Sequence, residues 1–133
     1  MQPTESLIRA YYEAFNRADW PGMLALLTED VVHDINQRGR EIGLQRFTSF
    51  LGWMAQAYEE RLTDLVVMVD ASGTRAAAEF TVNGRYRAAD IGMPPAHGQA
   101  YVLPAGAFFV VAEGRIARVT TCYDVNEWLR QVS

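Results

Sequence analysis

Apolar residues near the start of the chain recur every three or four positions, the spacing of an amphipathic helix. They are Leu7, Ile8, Tyr11, Tyr12 and Phe15. Thr4 or Ser6 can cap this helix, and we expect it to end near Arg17. Asp19 then caps a second, short helix that tolerates Pro21 in its first turn. The pattern therefore predicts two consecutive helices at the start of the chain.

A third helix is predicted after Gly43 by a further set of apolar positions at helical spacing. This set is Leu44, Phe47, Phe50, Leu51, Met54 and Tyr58. Strand-like stretches separated by turn residues make up most of the rest of the chain. These stretches are residues 31–35, 61–70, 75–87, 99–111 and 116–123, with a turn at 38–40. Helices first and hairpins afterwards indicate an α+β fold in a single domain, residues 1–133.

The amino-acid composition favours a soluble globular domain and argues against several other classes of protein. Half of the 133 residues are hydrophobic and 21% are charged, as in soluble globular domains. A net charge of −4 with scattered arginines leaves no basic stripe, which argues against a nucleic-acid partner. The lone Cys122 excludes an intrachain disulfide. No apolar run reaches the ~20 residues of a membrane span and no signal core is seen, so we expect a cytoplasmic protein without a membrane partner.

Residues 11–34 run through a helix, a tight break, a short helix and the opening of a strand. In this order they resemble the nuclear transport factor 2-like superfamily, in particular ketosteroid isomerase and the SnoaL-like polyketide cyclases. Segments such as LTDLVVMV, LPAGAFF and GRIARVT are similar to the same group. The resemblance implies a cone-shaped, curved antiparallel or mixed sheet, with the N-terminal helices packed over its concave face. It further implies an apolar pocket, a small hydrophobic ligand, a homodimer and no cofactor.

Tyr11 is the first candidate catalytic residue. It precedes Asn16 by five residues, the spacing that the oxyanion-stabilising tyrosine has in the isomerase. A buried phenol can donate a hydrogen bond to a developing enolate. The alternative is that Tyr11 and Tyr12 are amphipathic core residues.

The base of the isomerase is an aspartate near the end of the first strand, and here two registers are possible. If the chain lacks one residue inside the strand, Asp34 takes that position. If the missing residue lies in the loop around Gly39, Ile35 takes it and His33 faces the pocket. The loop deletion is physically easier because a residue lost within a strand turns every later side chain to the other face. Asp34 and His33 are both retained as candidate acid or base groups.

A third carboxylate, Asp124, resembles the late aspartate that SnoaL-type cyclases use as a base. It also stands directly before VNEWLRQ, where an aspartate caps a helix. The second oxyanion-hole acid of the isomerase would fall at Gly106. Its absence argues against a true ketosteroid isomerase.

A set of apolar and aromatic side chains is expected to line the pocket or the core beside it. The set is Phe15, Leu51, Trp53, Met54, Tyr101, Phe108, Val119, Thr121 and Tyr123. His33 and His97 lie far apart, so no metal site is predicted. Three hypotheses follow: a cofactor-independent acid/base enzyme that isomerises, cyclises or hydrates a small hydrophobic molecule, a non-catalytic ligand-binding domain, and a dimeric accessory domain.

Overall fold

The structure is a computed structural model, and it describes residues 2–36 and 39–133. The helices are α1 (Pro3–Asn16), α2 (Trp20–Leu24), α3 (Leu44–Ala57) and α4 (Val125–Val132). The strands are β1 (Leu27–Ile35), β2 (Arg40–Ile42), β3 (Tyr58–Val69), β4 (Arg75–Tyr86), β5 (Gln99–Ala112) and β6 (Arg115–Tyr123). Of the turn predicted at 38–40, Arg38 lies outside the described residues, and Arg40 already belongs to β2.

All six strands form one sheet in the order β2-β1-β6-β5-β4-β3. The pairs are antiparallel except β1 with β6, which run parallel, so the sheet is mixed. A register shift between Thr63 and Val66, with Asp64 at φ 58°, interrupts β3. Such bulges bend a strand and increase its twist. The predicted α+β fold with a curved sheet is confirmed.

The helix ends show which local predictions hold. Asp19 caps α2 by accepting a hydrogen bond from the Gly22 amide at 3.0 Å, as expected. The predicted cap of α1 is wrong, because Gln2 accepts from the Glu5 amide at 2.8 Å. Thr4 lies inside the helix, and its hydroxyl donates instead to the Gly73 carbonyl at 2.6 Å. The Thr4 hydroxyl is therefore used in a long-range hydrogen bond and does not cap the helix.

Asn16 fixes the end of α1 against the sheet. Its side-chain amide donates to the Leu62 carbonyl at 2.9 Å and accepts from the Leu62 amide at 2.8 Å. One asparagine thereby completes the hydrogen bonds of a β3 residue beside the bulge. The contact holds the C-terminal end of α1, which carries Tyr11 and Tyr12, close to β3.

The two faces of the sheet differ in what covers them. On β4, Ala78, Phe80 and Val82 are buried beneath the helices, whereas Glu79 and Thr81 alternate onto the outer face. Met68 and Phe108 also lie on the outer face, and each is 52% exposed. The homodimer expected from the sequence stays a prediction, which the mass of the protein in solution would test.

Candidate active-site cavity

A cavity of about 380 Å³ lies between the helices and the inner face of the sheet. Its volume is in the range of small-molecule sites, which run from ~300 to 1,000 Å³. Six of the predicted lining residues contribute to it, namely Phe15, Leu51, Trp53, Met54, Thr121 and Tyr123. Tyr11 and His33, two of the four candidate catalytic residues, also line it.

One wall of the cavity is a continuous series of aromatic contacts. His33 stacks on Phe47 with ring centroids 4.4 Å apart and meets Phe50 edge-on at 4.7 Å. Phe50 then contacts Trp53 at 5.8 Å, and Trp53 contacts Tyr58 at 6.0 Å. A wall of this kind offers flat, polarisable surface to an aromatic or conjugated molecule.

Glu60 is the one carboxylate among the described residues that line the cavity. The hydroxyl of Tyr101 donates a hydrogen bond to its Oε2 at 2.5 Å. Burial raises the pKa of the Glu60 carboxyl above its ordinary value of 4.5, and the hydrogen bond from Tyr101 acts in the opposite direction. A carboxylate in this environment is a better proton acceptor than one in water.

His33 is 5% exposed, and no described residue hydrogen-bonds its Nδ1. Burial lowers the pKa of the imidazole from 6.5 to about 4, against the opposing effect of the Asp34 charge. The ring is therefore neutral at neutral pH. A neutral imidazole with an unpaired nitrogen is suited to exchange a hydrogen bond with a ligand.

The burial of His33 predicts that the free energy of unfolding depends on pH. Between pH 6.5 and about 4 an unfolded His33 binds a proton that the folded ring does not, so stability falls as the pH drops through this window. The expected loss by pH 4 is about 3 kcal/mol, from 1.36 kcal/mol for each unit of pKa difference. We expect His33→Gln to weaken this loss in urea unfolding at pH 7, 5.5 and 4. Parallel curves for the two proteins would contradict it.

Two buried phenols add hydrogen-bond donors to the cavity. Tyr11 and Tyr12 are 3% and 5% exposed, and both line the cavity. Burial raises the pKa of each phenol, so both stay protonated donors at neutral pH. Within residues 2–36 and 39–133 neither hydroxyl has a hydrogen-bond partner. The hydroxyls are therefore available to a ligand.

Asp34 does not line the cavity, so the register that puts it at the base position is wrong. Arg40 donates to its Oδ1 from Nε at 2.6 Å, and the Thr120 hydroxyl donates to its Oδ2 at 2.6 Å. The hydrogen bond from Arg40 lowers the pKa of Asp34 to about 2, with help from Thr120. Ile35 lines the cavity instead. The alternative register, with His33 inward and Asp34 outward, is confirmed.

The remaining corrections concern side chains on β5, β6 and α4. Asp124 caps α4, accepting from the amides of Asn126 at 2.9 Å and Glu127 at 3.2 Å, and does not line the cavity. Phe108 points to the outer face because β5 presents its odd-numbered positions to the core. Tyr101 and Val119 are buried in the core beside the cavity rather than in its lining.

The sequence analysis missed Glu60, the residue with the clearest acid/base potential. The strand was expected to begin at residue 61, whereas β3 begins at Tyr58, directly after α3. Tyr58, Glu60 and Leu62 alternate inward and all line the cavity. Glu60 lies two positions before the apolar Leu62, so both side chains point to the same face of a strand. That spacing was the signal that could have identified Glu60.

Two features are absent from the described part of the chain. It contains no group of three or more His, Cys, Asp or Glu side chains placed to hold a metal ion. Among the same residues, no helix is long and apolar enough to cross a membrane.

The sequence and the fold were compared with known protein families and solved structures. Residues 8–119 match the SnoaL-like domain. A structure from Pseudomonas putida, named provisionally as a polyketide cyclase, is 58% identical with a TM-score of 0.96, covering 100% of this chain and 99% of that chain. Its counterpart from Xanthomonas campestris, named in the same way, is 55% identical with a TM-score of 0.96, covering 99% and 98%. No curated protein matches the sequence. The chain belongs to the SnoaL-like domain family.

Proposed function

We propose that the protein is a cofactor-independent acid/base enzyme acting on a small, uncharged, hydrophobic carbonyl compound. Glu60 removes a proton from carbon, and the Tyr11 phenol donates a hydrogen bond to the oxygen on which negative charge develops. The observation that carries the proposal is the Glu60 carboxylate, which borders the apolar cavity and has a raised pKa. The proposal departs from the sequence prediction by assigning the base to Glu60 instead of Asp34, His33 or Asp124.

The electrostatics of the cavity support an uncharged substrate. No lysine or arginine is found among its described lining residues, while Glu60 supplies a negative charge when it is ionised. An anionic substrate would therefore meet repulsion without a compensating cation. The aromatic wall from His33 to Tyr58 favours a flat, conjugated molecule over a flexible aliphatic one.

The provisional names of the similar structures favour cyclisation among the possible reactions. In an aldol cyclisation, Glu60 takes a proton from a carbon beside a carbonyl, and the resulting enolate attacks a second carbonyl of the same molecule. A carbon–carbon bond forms, and the new alkoxide recovers the proton from Glu60. Electrons and protons balance without an oxidant or a cofactor. Isomerisation would use the same two groups.

The proposal can be tested with 5-nitrobenzisoxazole, a flat and uncharged carbon acid. Removal of its ring C–H proton breaks the N–O bond and releases a coloured phenolate, so the reaction reports a base inside an apolar site. We expect saturable turnover at least about 100-fold faster than with the same concentration of acetate. A rate that never saturates and matches acetate would overturn the proposal.

The second candidate is a binding domain without turnover. It is favoured by two buried polar atoms that lack a partner among the described residues, His33 Nδ1 and Asn36 Nδ2. Both residues line the cavity, and a ligand could satisfy both atoms. Quenching of tryptophan fluorescence by the same probe, without release of phenolate, would support binding alone.

A further inference from the structure

We infer that Tyr101 is a positioning residue for Glu60, holding one carboxylate oxygen from the core side and leaving the other to the substrate. We infer in addition that Gly84 is what allows Tyr101 to reach it. Both inferences rest on the proposed role of Glu60 as the base. They concern two residues, one on β5 and one on β4, that do not line the cavity.

The register of three strands places these residues in one row. Glu60 on β3 pairs with Gly84 on β4, and Gly84 pairs with Tyr101 on β5. The side chain of Tyr101 therefore lies across β4, where its hydroxyl meets Glu60 Oε2 at 2.5 Å. A Cβ atom at position 84 would overlap the ring and the hydroxyl of Tyr101. Only glycine leaves this path open.

Tyr101 is fixed on the side away from the ligand. It is 2% exposed, and its ring contacts Trp128 edge-on at 6.1 Å. Since it is absent from the cavity lining, a substrate would not touch it. Its effect on the reaction must pass through Glu60, whose second carboxylate oxygen has no described protein partner.

Burial keeps the pKa of the Tyr101 phenol far above neutral, with added effects from Glu60, Tyr58 and Tyr123, so Tyr101 remains a donor. Tyr58 in turn donates to the buried carboxylate of Asp90 at 3.0 Å. On β3 the neighbours Glu59 and Arg61 alternate to the exposed side. The hydrogen bond from Tyr101 stabilises the charged carboxylate and thereby limits how far burial raises the pKa of Glu60.

The test compares two substitutions that break the same hydrogen bond from different strands, Tyr101→Phe and Gly84→Ala. The readout is the pH dependence of kcat/KM for 5-nitrobenzisoxazole, whose acid limb reports the pKa of the base in the free protein. We expect both variants to move this limb upward by about one pH unit or more. Gly52→Ala, on α3 with open space around its Cβ position, is the matched control and should leave the limb in place.

The same shift can be measured without a reaction, from the 13C resonance of the Glu60 side-chain carboxyl carbon, assigned by its loss in Glu60→Gln. A titration midpoint unchanged in both Tyr101→Phe and Gly84→Ala would overturn the positioning role. If Glu60→Gln alone abolishes turnover while those two variants keep the wild-type limb, the base assignment stands and Tyr101 is structural. Glu60→Gln could instead keep full turnover while the carboxyl midpoint still moves in Tyr101→Phe and Gly84→Ala. In that case Glu60 is not the base, but Tyr101 still positions its carboxylate.

Discussion

Replacing Glu60 with Gln is expected to reduce kcat for ring opening of 5-nitrobenzisoxazole by at least about 100-fold. The amide keeps the size and the polar contact with Tyr101 but cannot accept the proton. No other carboxylate among the described lining residues can take over, because Asp34 and Asp124 lie outside the cavity. Initial rates measured at pH 8, with the protein verified as folded by circular dichroism, provide the measurement.

The matched control is Glu59→Gln at the neighbouring position. Glu59 is exposed on the other face of β3 and pairs with Arg87 at 3.4 Å. The same chemical change there should leave the rate within a factor of about two, since surface substitutions away from a site have small effects. Equal losses in both variants would show that the rate reports net charge and not a base in the cavity.

Tyr11→Phe is the second large effect, with an expected loss of about 100-fold in kcat, the size seen when one oxyanion donor is removed. Negative charge grows on the departing oxygen of the probe as the proton leaves carbon. The Tyr11 hydroxyl is expected to donate to this oxygen because no described protein group uses it.

Stability separates this role from a structural one. A hydroxyl without a protein partner contributes little to folding, so the midpoint of urea unfolding should hardly change in Tyr11→Phe. A full rate with an unchanged midpoint would remove the oxyanion role. A lowered unfolding midpoint together with a proportional loss of rate would show that Tyr11 acts only as a core residue.

Local rules predicted much of the fold. Asp19 and Asp124 both act as helix caps, where an aspartate stands directly before a short helix. Strand periodicity favoured the register with His33 inward, since a deletion in the loop leaves the inward and outward sets of β1 intact, although both His33 and Asp34 were kept as candidates. The structure agrees, with His33 stacked on Phe47 and Asp34 paired with Arg40.

Two parts of the site could not be derived in this way. On β5 both alternating sets are largely apolar, Tyr101, Leu103 and Phe109 on one face and Val102 and Phe108 on the other. Period-two alternation cannot choose between such faces, and Phe108 was assigned to the wrong one.

The contact between Tyr101 and Glu60 joins residues 41 positions apart, through a strand that lies between theirs. It depends on the register of β3, β4 and β5 together, which no local pattern encodes. The start of β3 was hidden as well, because the strand follows α3 without a turn. Glu60 thus appeared to follow a helix instead of beginning a strand.

The central claim is that Glu60 is the base of this cavity, and one comparison tests it most directly. The pH dependence of kcat/KM for 5-nitrobenzisoxazole is set against the 13C titration of the Glu60 carboxyl carbon in the wild-type protein. We predict one common midpoint, above the ordinary glutamate value of 4.5. A carboxyl midpoint that differs from the acid limb of the rate would contradict the claim and assign the proton transfer to another group.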